Sequence, residues 1–356
     1  MRIALIGYLH GNGGAERQIT MLANSLTPTH EVFFIITGAN NERYPISVNV
    51  HKVDITGKEQ GKLAIIRRYY ALRKVLLAIK PEVTIHYNLQ SAYFSVTYPP
   101  KARGKIIYSE RGDPYDDEYS GLLGLVRKLA IKRINGFVFQ TEGARDFFDE
   151  DIRKRSAVIH NPLSISPEKH LTTIVRDKRI VSVGRLHPQK NQRLLVNAFA
   201  KIASDFTDYS LEIYGDGSLK EDLEKLIEEK GLKGQVQLLN ARKDIFSAIK
   251  KAAMFVLSSD YEGMPNALME AMALGMPCIS TDCRPGGARA LINNGENGII
   301  VPCGDETTLA EKMAYLLKNP EVAKSYGEKA THIAESHTPD AIFKQWEDYI
   351  ERISKQ

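Results

Sequence analysis

Short apolar segments alternate with helical patterns along this chain, and this alternation constrains the fold more than any other feature of the sequence. The first segment, Arg2–Gly7, is followed by a Gly-rich turn and by a helical pattern from Glu16 to Leu26. Strands separated by helices form right-handed βαβ units, which build a parallel sheet. The sequence therefore predicts an α/β fold with doubly wound parallel sheets, with further strands at 31–37, 83–87, 105–109, 136–140, 179–184, 210–215, 236–239, 254–258, 277–281 and 298–301.

The alternation lapses between His160 and Asp177, where prolines and polar residues follow one another. A chain of 356 residues exceeds the roughly 250–300 residues at which one hydrophobic core stops growing, so two domains are expected. We predict an N-terminal domain over 1–165 and a C-terminal domain over 166–337. The final helical segment, in 338–356, can pack on either domain and so could cross back to the first.

Hydropathy and cysteine usage predict a cytoplasmic protein. No apolar run approaches the roughly 18 residues of a membrane span, and the run after Met1 is too short for a signal peptide. The three cysteines, Cys278, Cys283 and Cys303, lack paired spacing, which fits a reducing compartment and predicts neither a disulfide framework nor a metal site.

Basic residues are in excess in the N-terminal half, which contains two stretches without acidic residues, 60–81 and 119–141. Such clusters suit phosphate, anionic lipid or nucleic acid, but they also fit the solvated faces of amphipathic helices, and both interpretations stay open. The first stretch predicts a core-facing stripe of Ile65, Tyr69, Leu72, Leu76 and Ile79, with a cationic ridge on the other side. We hypothesise that this ridge contacts the diphosphate of a lipid-linked acceptor or an anionic membrane surface through Arg67, Arg73 and Lys74.

Two carboxylates stand in the segment Tyr261–Glu270, directly after an apolar strand. We expect Glu262 in the strand-to-helix loop and Glu270 about one turn inside a helix that Pro265 begins, so that both point toward the edge where open parallel sheets bind ligands. Carboxylates there can accept hydrogen bonds from sugar hydroxyls. A phosphate can be received by the amides at the helix start, those of Asn266, Ala267 and Leu268.

Two cations stand in a second strand–loop–helix junction, Gly184–Asn191. Arg185 can hold two phosphate oxygens with its planar fork, and Lys190 adds a point charge. Together they would neutralise a diphosphate leaving group, although either junction alone would be an ordinary structural feature.

These segments together resemble the GT4 family of retaining glycosyltransferases, and in particular enzymes of bacterial surface polysaccharide or lipid-linked oligosaccharide assembly. The resemblance covers nearly the whole chain and implies a GT-B fold, in which two Rossmann-like domains face a cleft. It also implies sugar transfer without a metal or another cofactor. The motifs that carry it are 182–190, the two glutamates eight residues apart, 271–277 with Thr281-Asp282, 213–217 and 13–17.

The family's functional residues are carried over motif by motif. Glu270 would bind the ribose of the donor, Glu262 the hydroxyls of the transferred sugar, and Arg185 and Lys190 the diphosphate. The family's glycine pair corresponds to Gly13 and Gly14, which would let backbone amides approach the donor phosphate from the opposite domain. Uridine is the base that the family favours, and the remaining donor-binding positions would be Gly215, Gly217, Ala241, Gly263, Asn266, Ala267 and Leu268.

The chain departs from the family at Arg111. Many relatives have a histidine after Ser-Glu, whereas this chain reads Ser109-Glu110-Arg111-Gly112-Asp113. An arginine cannot act as a base at neutral pH. Either Arg111 recruits an anionic acceptor or the acceptor proton is handled elsewhere, the candidates being Glu110, Asp113, His86 and His10.

The resemblance implies retaining transfer of a hexose or N-acetylhexosamine from a UDP-linked sugar to a polyprenyl-diphosphate-linked glycan, in surface polysaccharide or glycoprotein glycan assembly. The expected partners are the nucleotide sugar, the lipid-linked glycan and the cytoplasmic surface of the inner membrane, without nucleic acid. A sugar-nucleotide epimerase or phosphorylase of the same fold, or a non-catalytic protein that binds anionic glycolipids, remains an alternative. A nicotinamide-dependent dehydrogenase is disfavoured, because the segment 11–16 lacks the third glycine of the dinucleotide fingerprint and no acidic residue follows the strand at 31–37.

Overall fold

The structure is a computed structural model that describes residues 1–9, 13–57, 61–87, 89–115, 121–165, 175–242 and 244–356. It divides into two compact units: unit 1 comprises Met1–Pro162 and Pro339–Gln356, and unit 2 comprises Leu163–Thr338. The chain therefore leaves unit 1 three residues before the predicted boundary at 165/166. The reason is that Leu163 is buried in the core of unit 2 and its N–H donates to the carbonyl of His337 at 2.8 Å.

The described helices and strands follow one another in the alternating order that the sequence indicates. In chain order they are β1 (Arg2–Leu9), α1 (Gly14–Leu26), β2 (Glu31–Asn40), β3 (His51–Asp54), α2 (Gly61–Ile79), β4 (Val83–His86), α3 (Leu89–Val96), α4 (Pro100–Arg103), β5 (Lys105–Ser109), α5 (Gly121–Ile131), β6 (Gly136–Phe139), α6 (Glu142–Asp146), α7 (Glu150–Lys154), β7 (Ser156–Val158), β8 (Arg179–Val183), α8 (Gln192–Ala200), β9 (Ser210–Tyr214), α9 (Lys220–Glu229), β10 (Val236–Leu239), α10 (Ile245–Ile249), β11 (Met254–Leu257), α11 (Asn266–Ala273), β12 (Cys278–Thr281), β13 (Ile299–Val301), α12 (Glu306–Lys318), α13 (Pro320–Ala330), α14 (Ile333–Ser336) and α15 (Pro339–Ser354).

Unit 1 is built on a parallel sheet whose described strands lie in the order β3-β2-β1-β4-β5-β6-β7. Side chains alternate across the sheet. Ile3 and Leu5 pack with α1 and α15 on one face, whereas Ala4 and Ile6 pack with α2 on the other. The C-terminal helix is thus part of unit 1, where Trp346 is among its largest fully buried side chains.

Unit 2 repeats the design, with described parallel strands in the order β10-β9-β8-β11-β12-β13. The strand order reverses between β8 and β11, which lie side by side. Connections from these two strands leave in opposite directions, and in doubly wound sheets the resulting crevice beyond the carboxyl ends of the strands binds ligands. The loops that follow β8 and β11 carry Arg185, Lys190 and Glu262, and Glu270 lies in α11, directly after the second loop.

The predicted fold class, α/β with two doubly wound parallel sheets, is confirmed. Two strands were not predicted, β3 and β7. Both are short strands at the edges of the unit 1 sheet, and most residues of β3 are exposed, so neither has the apolar run of a central parallel strand.

Candidate active site

The loop after β8 is fixed to the loop after β11 by several hydrogen bonds. The Asp260 N–H donates to the carbonyl of Gln189 at 2.9 Å, and the Ser258 hydroxyl donates to the carbonyl of Lys190 at 2.9 Å. The Asn191 amide donates to the carboxylate of Asp260 at 2.8 Å. Asn191 has φ 41°, a left-handed conformation that asparagine tolerates, and its side chain also caps α8 by accepting from the Leu194 N–H. The two loops therefore form one rigid platform at the switch point.

Lys190 and Glu262 form a buried ion pair across this platform. The Lys190 ammonium contacts a carboxylate oxygen of Glu262, and the side chains are 18% and 8% exposed. The Ser259 hydroxyl donates to the same oxygen at 2.7 Å, and the Glu262 N–H donates to the carbonyl of Arg284 at 2.7 Å. The structure thus brings together two of the predicted residues, and the charge of Lys190 is largely balanced within the protein.

Arg185 is the exposed cation of the site. Its carbonyl accepts a hydrogen bond from the Gln192 amide at 2.8 Å, while its guanidinium donates a long hydrogen bond of 3.4 Å to Gln189. In the part of the chain that the structure describes, Arg185 forms no ion pair. Its positive charge, unlike that of Lys190, is therefore available to an anion from solvent.

Glu270 lies in α11, where it is buried at 3% exposure. Its carboxylate accepts a hydrogen bond from the hydroxyl of Ser164, in the segment through which the chain enters unit 2. At the start of α11 the Leu268 N–H already donates to the carbonyl of Pro265 at 3.1 Å. The Leu268 amide is therefore engaged within the protein, and phosphate binding by the amides of Asn266 and Ala267, both partly exposed, stays a prediction.

Close backbone packing around the site requires glycine at 215, 217 and 287. A Cβ atom at Gly215 would overlap the carbonyl oxygen of Gly184, and one at Gly217 would overlap that of Leu186. Gly287 plays the same part against the carbonyl of Gly263, beside Glu262. Gly215 and Gly217, predicted as donor-binding positions, thus seat the loop that carries Arg185, and the exposed Ala241 donates its N–H to Asp216 next to them at 3.3 Å.

In unit 1, Gly13 and Gly14 lie at the start of α1, where the Gly13 N–H donates to the carboxylate of Glu16 at 3.4 Å. A Cβ atom on Gly13 would meet the Glu16 side chain at 3.4 Å, an ordinary contact distance. The packing of unit 1 therefore does not demand glycine at position 13. His10, a predicted proton-handling candidate, lies outside the described residues.

Arg111 is held inside unit 1 by neighbouring side chains. Its guanidinium donates to the Tyr87 hydroxyl at 2.8 Å and to the Asn161 side chain at 3.0 Å, and it lies over the rings of Tyr87 and Trp346. Burial lowers the pKa of this guanidinium, but an arginine stays charged at neutral pH. These contacts engage the guanidinium within unit 1, and recruitment of an anionic acceptor by Arg111 stays a prediction.

Glu110 and Asp113 turn their carboxylates onto the loop that contains them. Glu110 accepts from the N–H groups of Arg111 and Gly112, both at 3.1 Å, and Asp113 accepts from the Tyr115 N–H at 3.0 Å. Both side chains are buried, so they shape the loop after β5. A role in handling the acceptor proton stays a prediction for both.

His86, at the end of β4, is fully buried. Its Nδ1 lies 2.9 Å from the Ser91 hydroxyl, and its Nε2 has no hydrogen-bond partner among the described residues. Burial lowers the pKa of His86 to about 3, so the imidazole is neutral at physiological pH. The imidazole can take the proton only if the hydroxyl of the acceptor glycan comes within hydrogen-bond distance of it. A role of His86 in handling that proton therefore stays a prediction.

The prediction of a cationic ridge on α2 is wrong for Arg67. Arg67 turns inward, donates to the carbonyl of Ile55 at 2.6 Å and packs on Gly57, so it is not available on the outer surface. Arg73 and Lys74 are exposed as expected. Ile65, predicted for the core stripe, is 40% exposed.

The family described as glycosyl transferases group 1 matches residues 168–333, the span that contains the Arg185, Lys190, Glu262 and Glu270 platform. Residues 168–333 belong to the group 1 glycosyltransferase family. Comparison with individual proteins agrees with this assignment.

The relatives of this glycosyltransferase include enzymes named for lipid-linked sugars. It is 24% identical, over 99% of both chains, to a Campylobacter jejuni α-1,4-N-acetyl-D-galactosaminyltransferase whose name specifies a diNAcBac-PP-undecaprenol acceptor. It is 34% identical to an exopolysaccharide phosphotransferase of Streptomyces coelicolor over 64% of this chain, which spans about a quarter (24%) of that protein. The structure of Anabaena HepE in complex with UDP superposes with a TM-score of 0.80 at 17% identity, covering 99% of this chain and 100% of that one, and shows the shared fold.

The sequence interpretation missed several residues that shape the site of this glycosyltransferase. Ser164, Ser259 and Gly287 touch or support the two glutamates, but a single serine or glycine in a loop carries no signal of its own in a sequence. Two further observations concern the described residues alone. They contain no group of three or more His, Cys, Asp or Glu side chains placed to hold a metal ion, and none of their helices is both long and apolar enough to cross a bilayer.

Proposed function

We propose that this glycosyltransferase transfers a hexose or N-acetylhexosamine, with retention, from a UDP-linked sugar to a glycan carried on a polyprenyl diphosphate. The single observation that supports this best is the platform at the switch point of unit 2, where Arg185, a cation without an ion-pair partner among the described residues, stands beside a buried Lys190–Glu262 pair. A nucleotide diphosphate needs concentrated positive charge, and a sugar needs buried hydrogen-bond acceptors. Both are provided within one pair of loops.

The diphosphate is the group that Arg185 fits. Its fork binds two phosphate oxygens, and the amides of Asn266 and Ala267 at the start of α11 add donors. Lys190 lies next to this position but shares its charge with Glu262, so it orients the carboxylate as well as attracting phosphate. Glu270, which now accepts from the Ser164 hydroxyl, accepts instead from a ribose hydroxyl when the donor is bound.

The chemical step breaks the bond between the anomeric carbon and the diphosphate oxygen and forms a bond from the same carbon to the acceptor oxygen. Positive charge develops on the sugar and negative charge on the leaving diphosphate, and Arg185 with Lys190 stabilises the latter where it appears, usually the largest catalytic contribution. Attack comes from the face that the diphosphate leaves, which preserves the configuration, and the leaving phosphate takes the acceptor proton. We propose that these side chains neutralise the diphosphate without a divalent metal or another cofactor.

The acceptor assignment is supported by the Campylobacter relative, whose printed name places its acceptor on undecaprenyl diphosphate. A chain acting on such a glycan in surface polysaccharide or glycoprotein glycan assembly works at the cytoplasmic face of the plasma membrane, as a peripheral protein. The partners are then the nucleotide sugar and the lipid-linked glycan, with no nucleic acid.

A screen of nucleotide sugars by thermal unfolding tests the donor. A ligand at about 100 times its dissociation constant stabilises the folded state by roughly 2.7 kcal/mol. We expect UDP and one UDP-sugar to raise the unfolding temperature of the wild type, and to raise that of Arg185→Met by clearly less. Arg193→Met, which removes an exposed arginine on the neighbouring helix α8, is the matched control and should behave as the wild type.

The reaction itself is tested by mass spectrometry of products formed with the donor that stabilises the protein and a polyprenyl-diphosphate-linked acceptor, in the presence of EDTA. A new glycoside with the configuration of the donor, and UDP released only when acceptor is present, supports the proposal. Epimerised donor without UDP release indicates an epimerase, a glycosyl phosphate product indicates a phosphorylase, and binding without any product indicates a non-catalytic glycolipid-binding protein. Loss of activity in EDTA contradicts metal independence.

A further inference from the structure

Helix α2 exposes an apolar stripe on the side that faces away from the sheet of unit 1. Leu63, Ile66, Tyr70 and Leu77 are between 37% and 70% exposed. Their spacing of three, four and seven residues places them along one side of an α-helix. A soluble protein normally buries such a stripe, and α2 already buries Leu72 and Leu76 on its opposite side.

Cations border this stripe. Arg73 and Lys74 lie three and four residues beyond Tyr70 and are exposed, so one stands on each side of the stripe, and Lys62 stands four residues before Ile66. The segment 61–80 contains no acidic residue. The outer side of α2 is therefore apolar along its middle and positive along its edges.

Helix α5 repeats the arrangement. Leu125 and Leu129, one turn apart, are 56% and 63% exposed. Lys128 of α5, and Lys132 and Arg133 in the turn directly after it, are exposed at spacings of three and four residues from these leucines, and the segment 119–141 has no acidic residue. The same pattern thus occurs on two separate helices.

Both helices cover one face of the unit 1 sheet. Ala4 of β1, which packs with α2, is aligned with Thr84 of β4, and Thr84 is aligned with Ile106 of β5, which packs with Ala130 and Ile131 of α5. Aligned residues of neighbouring parallel strands point to the same side of a sheet. We call the surface formed by the six exposed apolar residues and their flanking cations the α2–α5 face.

Charge decides what this face can bind. A second copy of the chain that used the same face would bring cations against cations, because neither helix supplies an acid. An anionic lipid surface offers both required features, negative headgroups for the cations and an acyl boundary for leucine, isoleucine and tyrosine side chains. A helix of this kind lies in the plane of the membrane interface with its apolar side buried.

We infer that the α2–α5 face docks unit 1 onto a membrane that contains anionic phospholipids. The inference rests on the proposed function only in that a membrane-anchored acceptor gives this docking a purpose. The evidence for the surface itself is the exposure and charge of its residues.

Vesicle co-sedimentation tests it, with the full chain and phosphatidylcholine vesicles with or without phosphatidylglycerol. The wild type should bind only the phosphatidylglycerol vesicles, and binding should fall between about 0.1 M and 1 M salt as the Debye length shrinks from roughly 10 Å to 3 Å. Arg73→Gln with Lys74→Gln should weaken partitioning roughly 25-fold, about fivefold for each charge. Ile66→Ser with Tyr70→Ser should weaken it roughly tenfold or more.

The controls change exposed residues of unit 2: two cations, by Lys225→Gln with Lys251→Gln, and one tyrosine, by Tyr315→Ser. These should bind as the wild type. Equal binding of the α2 variants and the controls, binding of the wild type to pure phosphatidylcholine, or no binding to either vesicle would overturn the inference. So would a dimer in solution that Ile66→Ser with Tyr70→Ser disperses, because the face would then belong to a second copy.

Stabilisation by UDP, measured without vesicles, separates this inference from the proposed function. It should be the same in the wild type and in all α2 variants. If UDP does not stabilise the wild type but vesicle binding follows the variants as expected, the donor assignment fails and the docking surface stands. If UDP stabilises every variant and vesicle binding is unaffected by all of them, the docking surface fails and the donor assignment stands.

Discussion

Replacing Lys190 with methionine should destabilise unit 2, although the same replacement of Arg185 should not. The ammonium of Lys190 is the cation that pairs with the Glu262 carboxylate, which is 8% exposed. Removing one partner of a buried pair leaves an uncompensated charge and costs roughly 3–5 kcal/mol. Because Lys190 is 18% exposed and Ser259 still donates to Glu262, we expect the lower end, about 3 kcal/mol.

At roughly 2–4 °C per kcal/mol for a unit of this size, the unfolding temperature should fall by about 6–12 °C. Arg185 is exposed and forms no ion pair with any described residue, so Arg185→Met should change stability by no more than about 0.5 kcal/mol. The loss of its charge-assisted bonds to phosphate should instead weaken UDP binding roughly 10- to 100-fold.

Scanning calorimetry of the two single variants and of Lys190→Met with Glu262→Met checks this reasoning, with isothermal titration of UDP alongside. Removing both partners of a buried pair is often nearly neutral, so the double variant should recover most of the lost stability. The reasoning is refuted if Lys190→Met and Arg185→Met unfold at the same temperature, or if the double variant is no more stable than Lys190→Met.

Three further predictions follow from the site and from unit 1. Gly215→Ala should cost about 1–3 kcal/mol in thermal unfolding, because a methyl group would overlap the Gly184 carbonyl, whereas Gly234→Ala, with open space at its Cβ position, should be neutral. Glu262→Gln should reduce transfer far more than UDP affinity, while Glu270→Ala should weaken both, and an unchanged UDP affinity in the latter variant would contradict the ribose assignment. The pKa of His86 is about 3 in the folded state against 6.5 ordinarily, so unfolding takes up a proton below pH 6.5. The stability that this histidine contributes should be complete above pH 6.5 and decline toward pH 3 by up to roughly 1.4 kcal/mol per pH unit. Urea unfolding at pH 7 and pH 5 should show this slope, and a variant carrying His86→Gln should show a flatter one.

The position of the charged residues at the carboxyl edge of unit 2 could be predicted from the sequence, because a parallel strand followed by a loop and a helix always delivers its loop there. The contact between Lys190 and Glu262 could not. It depends on β8 and β11 being neighbours, although β9 and β10 separate them in the chain. Neighbour relations of this kind are decided by the packing of the whole sheet and not by any local pattern.

Helix α2 shows a different limit of sequence reasoning. It carries two apolar stripes, one through Leu72 and Leu76 and one through Tyr70 and Leu77, and periodicity alone does not say that the second is left exposed. Arg67 shows the same limit for charge, since its inward turn depends on space above Gly57 that only the tertiary structure provides.

The return of the chain to unit 1 through α15 has a consequence for the order in which the protein is made. The core of unit 1 includes Trp346, Ile350 and Ile353, so it cannot close until α15 has left the ribosome. Unit 2, by contrast, ends at Thr338 and can fold while unit 1 still lacks helix α15. Nascent chains arrested after residue 338 and released from the exit tunnel should therefore contain a protease-resistant unit 2 and a protease-sensitive unit 1, and equal resistance of the two units would show that the N-terminal segment closes without its last helix.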